Sequence, residues 1–330
     1  MSQTDRYSLH GMTIKSDITL HELAEIDRED PKTEYIEVRN TEHTSWPLLE
    51  PNQYSTPCIT MAPHEWRLEL EGIGWFRATN GQVLEWERWD DSVSDRDIRT
   101  FLVTSGLGAL AIQRGELVVH GTALEREGQA IALLGHPTTG KSTLAWCLLQ
   151  QGWRLISSEV TVIKADRTIP LGPQHIKLWH DATQKLRIES EHLPLVRRGL
   201  KRYCVTPPSQ SLATAPTPLS TVYVLNRSKN GDADDNDTLS GKIKVSEALN
   251  QQSGLLALRN QAFHARFYRG MGAEARLFMQ VTDCVHSTPV HRLNVPDDIQ
   301  AMLEGLKRID LLSPASLSKP KPDGQDCSND

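Results

Sequence analysis

The sequence predicts an α/β protein, and three observations carry that prediction. Residues 35–39 (Tyr-Ile-Glu-Val-Arg) and 65–70 (Glu-Trp-Arg-Leu-Glu-Leu) alternate apolar and polar side chains, which is the period of half-buried strands. The apolar run at 129–134 (Gln-Ala-Ile-Ala-Leu-Leu) leads directly into a glycine loop. Leu144, Leu148 and Leu149 then recur at helical spacing behind that loop.

In chain order, residues 1–92 form a β-rich N-terminal accessory domain. Gly72, Gly74, Asn80 and Gly81 mark its turns, and Trp66, Trp75, Trp86 and Trp89 are expected to pack its core. Ser94 ahead of Asp95 and Asp97 is an N-cap with acids in the first turn, and Ile98, Leu102, Ala109 and Ile112 continue a helix. A second domain, 93–312, contains strands at 116–120 and 129–134 joined by a turn at Glu127 and Gly128. The helix at 143–151 ends at Gly152. Two strands, 153–156 and 160–163, flank Ser157, Ser158 and Glu159. Prolines 207, 208, 216 and 218 mark a loop before a strand at 221–225, and residues 245–258 have a helical pattern. Residues 229–238 read as a solvated acidic loop, since they lack the spacing and terminal glutamate of an EF-hand. The polar, proline-bearing stretch 313–330 reads as a disordered tail.

A net charge of −6 argues against nucleic acid as a partner, because a phosphate-binding surface that large carries a basic excess. The five cysteines have no CxxC or Cys/His spacing and read as reduced thiols. The N-terminus lacks a signal-like apolar run and no window reaches the length of a membrane span, so a cytoplasmic protein without a membrane partner is expected.

Residues 135–142 (Gly-His-Pro-Thr-Thr-Gly-Lys-Ser) match the P-loop pattern in the strand-to-helix context it requires. Successive backbone N–H groups and the positive end of the following helix surround phosphate oxygens, and glycine lets the chain approach them. Gly135, His136, Pro137, Thr138, Thr139, Gly140, Lys141, Ser142 and Thr143 are therefore the candidate nucleotide-binding residues, for ATP with Mg²⁺. Lys141 would reach the β- and γ-phosphates, and the Ser142 hydroxyl would ligate Mg²⁺.

His120-Gly-Thr-Ala, the turn at Gly128, the P-loop and Gly152-Trp-Arg-Leu-Ile-Ser-Ser-Glu together resemble the catalytic core of HPr kinase/phosphorylase. The remainder is similar to HPr-kinase-related proteins of lasso-peptide and similar peptide-modification gene clusters. Tyr7-x-x-His-Gly-Met-Thr near the start and Lys177-Leu-Trp-x-Asp181 downstream carry that part. The resemblance implies an HPr-kinase-like catalytic domain that phosphorylates a serine hydroxyl of a peptide or protein substrate. It extends to the C-terminal residue of a lasso-peptide precursor as the acceptor, and leaves a homo-oligomer open.

In that family the acidic pair begins with an aspartate that acts as base; here the position is Ser158, and Glu159 keeps the only carboxylate. Glu159 is then a candidate to hold Mg²⁺ or orient the acceptor hydroxyl, and His120 to orient Glu159 or take a proton. Arg266 and Arg269 are candidates for transition-state or acceptor contacts. Arg197, Arg198, Lys201 and Arg202 would share one helical face. A small-molecule kinase and an ATP-binding regulatory module without phosphotransfer remain as alternatives.

Overall fold

The structure is a computed structural model, and it describes residues 5–26, 34–49, 54–228, 243–296 and 298–307. It has the mixed α/β architecture expected. Nine strands make the first sheet: β1 (Asp5–Leu9), β2 (Met12–Ser16), β3 (Ala24–Glu25), β4 (Tyr35–Asn40), β5 (Tyr54–Ser55), β6 (Ile59–Ala62), β7 (Glu65–Leu70), β8 (Gly74–Thr79) and β9 (Val83–Arg88). Their order is β3-β1-β2-β4-β9-β8-β7-β6-β5. The period-2 pattern divides the tryptophans between the faces. Trp66 and Trp86 are buried, whereas Trp75 stacks between His43 (3.9 Å) and Trp89 (4.6 Å) on the outer face.

Helix α1 (Asp95–Phe101) starts as read, with the Ser94 hydroxyl accepting from the Asp97 amide. The expected single helix is interrupted by a π-helical turn at Leu102–Gly106 before α2 (Leu107–Gln113). One continuous cluster of buried side chains runs from Trp66 and Phe76 through Leu102 and Leu110 to Val118 and Val160 of the second sheet.

That second sheet is built on β10 (Leu117–Arg126) and β11 (Gln129–Leu134), a hairpin closed by Glu127 and Gly128, both at positive φ. Helix α3 (Lys141–Leu149) follows the glycine loop, and then come β12 (Arg154–Ile163), β13 (Thr168–Ile169), β14 (Ile176–Trp179), α4 (His180–Lys185) and β15 (Arg202–Val205). The remaining elements are β16 (Thr217–Ser228), β17 (Lys244–Val245), α5 (Gln251–Arg259), α6 (Ala265–Gly270), α7 (Glu274–Ser287), β18 (Val290–Pro296) and α8 (Ile299–Lys307). The path through the sheet is β12-β10-β11-β16-β18-β17, with β11, β16 and β18 parallel and β14 and β15 forming a separate ribbon. Along β11 the side chains alternate. Ala130, Ala132 and Leu134 face the shared core, while Ile131 and Leu133 join Leu144, Leu148 and Met302 in a second core beneath α3 and α8.

Three expectations are corrected. The two strands drawn around Ser157, Ser158 and Glu159 are one strand, β12, because Ser157 and Ser158 are buried and paired with β10. The helix at 245–258 begins only at Gln251, where Asn250 caps it; Lys244 and Val245 pair with β18 instead. Residues 197–201 form a turn with Gly199 at a φ of +77° and no helix. The acidic loop at 229–238 and the tail at 313–330 lie outside the described residues. Among the described residues no helix is long and apolar enough to cross a membrane.

Candidate functional site

The glycine loop begins where β11 ends and closes on the first turn of α3. Gly135 has a φ of +155°, and a Cβ there would lie 2.8 Å from the Thr139 hydroxyl and 3.3 Å from the Leu225 carbonyl, so only glycine fits the turn. Thr138 (φ +68°) and Gly140 (φ +91°) also take left-handed backbone, the kind of conformation from which anion-binding loops are built. The Lys141 ammonium donates to the Gly135 and His136 carbonyls at 2.6 and 2.9 Å. Burial, reinforced by the charge of Arg202 and opposed by Glu159, lowers Lys141 to about 8. A phosphate chain would reverse that penalty by supplying negative charge.

Strand pairing brings the other half of the site to this loop. Gly121 of β10 is opposite Leu134 on one side and Glu159 of β12 on the other, so the last residue before the loop and Glu159 share a row across three strands. Glu159 has a φ of +66° inside a strand, a conformation that costs a non-glycine residue about 1–3 kcal/mol and is held by its surroundings. Those surroundings are cationic. The Lys177 ammonium pairs with Glu159 Oε2, and Arg202 reaches Oε1 at 3.3 Å. The β14–β15 ribbon delivers both, with Lys177 opposite Cys204 and Trp179 opposite Arg202. The Arg202 guanidinium also lies over the Trp179 ring at 5.7 Å. Burial works to raise the Glu159 carboxyl, but Lys177, Arg202 and then His175 overcome it and hold it at about 2. His120, next to Gly121 in β10, is lowered by burial and by Lys141, which favours the neutral imidazole.

These groups line a cavity of about 530 Å³ that takes in residues 137–143 of the loop region, His120, Ser158, Glu159, Lys177, Asp181 and Arg202. Gly135 is buried in the turn, and His136 is exposed outside this lining. Arg266 and Arg269 line neither this cavity nor its neighbour. Arg266 is exposed over the Phe267 ring, and Arg269 pairs with Glu274 at 3.3 Å, so the structure does not bring these two arginines to the site. Lys177, Arg202 and Asp181 are the members whose part the sequence does not disclose. Lys177 and Asp181 stand in the Lys-Leu-Trp-x-Asp motif, but what they meet depends on a ribbon pairing.

The oxygen ligands that the cavity offers a Mg²⁺ ion differ in how free they are. The Ser142 hydroxyl, at the start of α3, has no hydrogen bond among the described residues and suits a cation beside bound phosphates. Glu159 suits it less, because both its oxygens already face cations. Asp181 is exposed, lines the same cavity and has no cationic partner among the described residues. No cluster of three acidic, histidine or cysteine ligands occurs among the described residues.

No family model and no curated protein matches the chain. Among solved structures, the chain is similar to the HPr(Ser) kinase/phosphatase from Coxiella burnetii, at 11% identity and a TM-score of 0.28, over 58% of this chain and 94% of that one. A likeness of that extent bears no weight on activity, substrate or partner.

Proposed function

We propose that this chain is an ATP-dependent kinase that transfers the γ-phosphoryl group to a serine hydroxyl of a peptide or protein. One observation carries the reading: Lys141 and Ser142 of the P-loop open into the same cavity as His120 and Glu159. The loop amides, the α3 N-terminus and the Lys141 ammonium bind the phosphates. Mg²⁺, when bound, offsets charge on the phosphate oxygens; Ser142 and Asp181 are the residues that would hold it. The acceptor oxygen bonds to the γ-phosphorus as the bond to the bridging oxygen breaks, ADP leaves, and the hydroxyl proton passes to the neutral His120 imidazole. Glu159 stays ionised, orients the acceptor and stabilises the imidazolium. Phosphoryl transfer through a loose transition state depends more on positioning and charge than on base strength, so Ser158 in place of an aspartate is compatible with turnover.

In its finest form the proposal makes the acceptor the C-terminal residue of a lasso-peptide precursor in the cytoplasm, on the sequence resemblance alone. A second reading, an ATP-binding regulatory module, is favoured by the neutralisation of Glu159 by two cations. Incubation with γ-labelled ATP and serine peptides, serine-to-alanine controls and polyols separates the cases. Label on serine supports the proposal. Label on polyols alone points to a small-molecule kinase, and nucleotide binding without any labelled product to the regulatory module.

A further inference from the structure

A second cavity, of about 320 Å³, adjoins the first. His120, Glu159, Lys177 and Arg202 belong to the linings of both, whereas no P-loop residue lines the second. We infer that this second cavity is the acceptor site, that it takes a hydroxyl carried beside a single negative charge, and that Arg197 reads that charge. The inference rests on the kinase reading and deepens it.

Position comes first. A group in the second cavity meets His120 and Glu159, which also line the nucleotide cavity, without meeting a P-loop residue, as an acceptor held apart from the phosphates requires. Size comes next, since a cavity at the small end of the range for ligand sites admits a terminal residue or a small molecule and excludes a folded segment.

Charge then narrows the chemistry. Lys177 and Arg202 are already paired with Glu159, but the exposed Arg197 side chain has no hydrogen bond or ion pair among the described residues. One unpaired guanidinium matches one carboxylate, which it can grip through two parallel N–H donors. The turn carrying Arg197 is fixed from both sides. Thr100 Oγ1 donates to the Val196 carbonyl at 2.8 Å, and the Arg198 amide donates to Asp97 Oδ1 at 3.3 Å. The lining also contains Thr104, from the π-helical turn that interrupts the 95–113 helix, together with Phe101 and Phe263. Such turns mark functional positions in helices. A hydroxyl beside a carboxylate can come from the C-terminal serine of a peptide or from a free hydroxy acid.

The test is calorimetry on the full chain loaded with Mg²⁺ and a non-hydrolysable ATP analogue. The probes are a peptide ending in serine with a free carboxylate, the same peptide amidated, and free serine. The free-carboxylate peptide should bind at least about tenfold more tightly than the amide, the scale of one charge-assisted bidentate contact. Arg197→Glu should abolish that preference, with Arg197→Lys restoring part of it. Free serine binding as tightly as the peptide would assign the site to small hydroxy acids; weaker binding would assign it to chain termini. Equal affinities for acid and amide, a preference that survives Arg197→Glu, or no binding of any probe would each overturn the inference. Carboxylate-dependent binding without phosphoryl transfer would leave the site standing and remove the kinase reading.

Discussion

Replacing Lys177 with methionine removes one of two cations that hold Glu159, and the consequence can be worked from the site. Burial raises a carboxyl, yet Lys177 and Arg202 keep Glu159 at about 2 against an ordinary 4.5. At about 1.36 kcal/mol per pH unit, that depression is on the order of 3 kcal/mol of stability at neutral pH. Because the folded value lies below the unfolded one, this stability is complete above 4.5 and is lost as pH falls towards 2. Removing one partner of a buried pair costs about 3–5 kcal/mol. Arg202 remains at 3.3 Å and is partly exposed, so the lower end applies, about 3 kcal/mol. The assay is urea unfolding at pH 7 and pH 4 for Lys177→Met, Glu159→Gln and the double variant. The single variant should keep most of its deficit at pH 4, still about two units above the folded Glu159 value, and the double should cost at least about 1.5 kcal/mol less than the sum of the singles. A loss under about 0.5 kcal/mol, or strict additivity, would refute the electrostatic account.

Glu159→Gln should slow single-turnover transfer to a serine peptide by at least about 10²-fold with a smaller change in nucleotide affinity, the scale for one positioned charged group; transfer at the wild-type rate would remove Glu159 from the chemistry. Nucleotide affinity should be flat below pH 8 and fall as pH rises through it, because Lys141 loses its proton at about 8 and the ammonium binds the phosphates; proton uptake measured calorimetrically in two buffers checks the sign. Gly121→Ala should cost about 1–3 kcal/mol in urea unfolding, since its Cβ would stand 2.3 Å from Leu134 Cδ2 and 2.8 Å from the Leu133 carbonyl; an unchanged midpoint would show that this row yields more easily than its packing implies.

The glycine loop was legible because its signal is local: a strand, fixed residues at fixed offsets and a helix within about twenty positions. The cations around Glu159 were not, because Lys177 and Arg202 meet only through the pairing of β14 with β15, and the intervening chain has no periodic pattern that announces a hairpin. The basic run 197–202 is visible in the sequence, but Gly199, whose left-handed backbone turns the chain, rules out a shared helical face, and of the run only Arg202 reaches Glu159. Polar Ser157 and Ser158 suggested a break where the structure has a continuous strand, since buried hydroxyls find partners that sequence does not reveal; Ser157 Oγ donates to the Val160 carbonyl at 2.9 Å. The π-helical turn at 102–106 leaves no mark in the sequence, because its apolar spacing fits an ordinary helix. Arg266 and Arg269 have no local cue to their position, and neither lines the two cavities.

In the proposed reaction, residues 135–142 bind the phosphates of a nucleotide whose γ-phosphoryl group is then transferred. Labelled transfer from ATP by wild type and Lys141→Ala, with folding checked by circular dichroism and urea unfolding, tests it most directly. The account predicts a labelled serine product from wild type, a loss of at least about 10²-fold in Lys141→Ala, and an unfolding midpoint no lower than that of wild type, because burial of the ammonium opposes folding. A folded Lys141→Ala protein that transfers phosphate at the wild-type rate would contradict it.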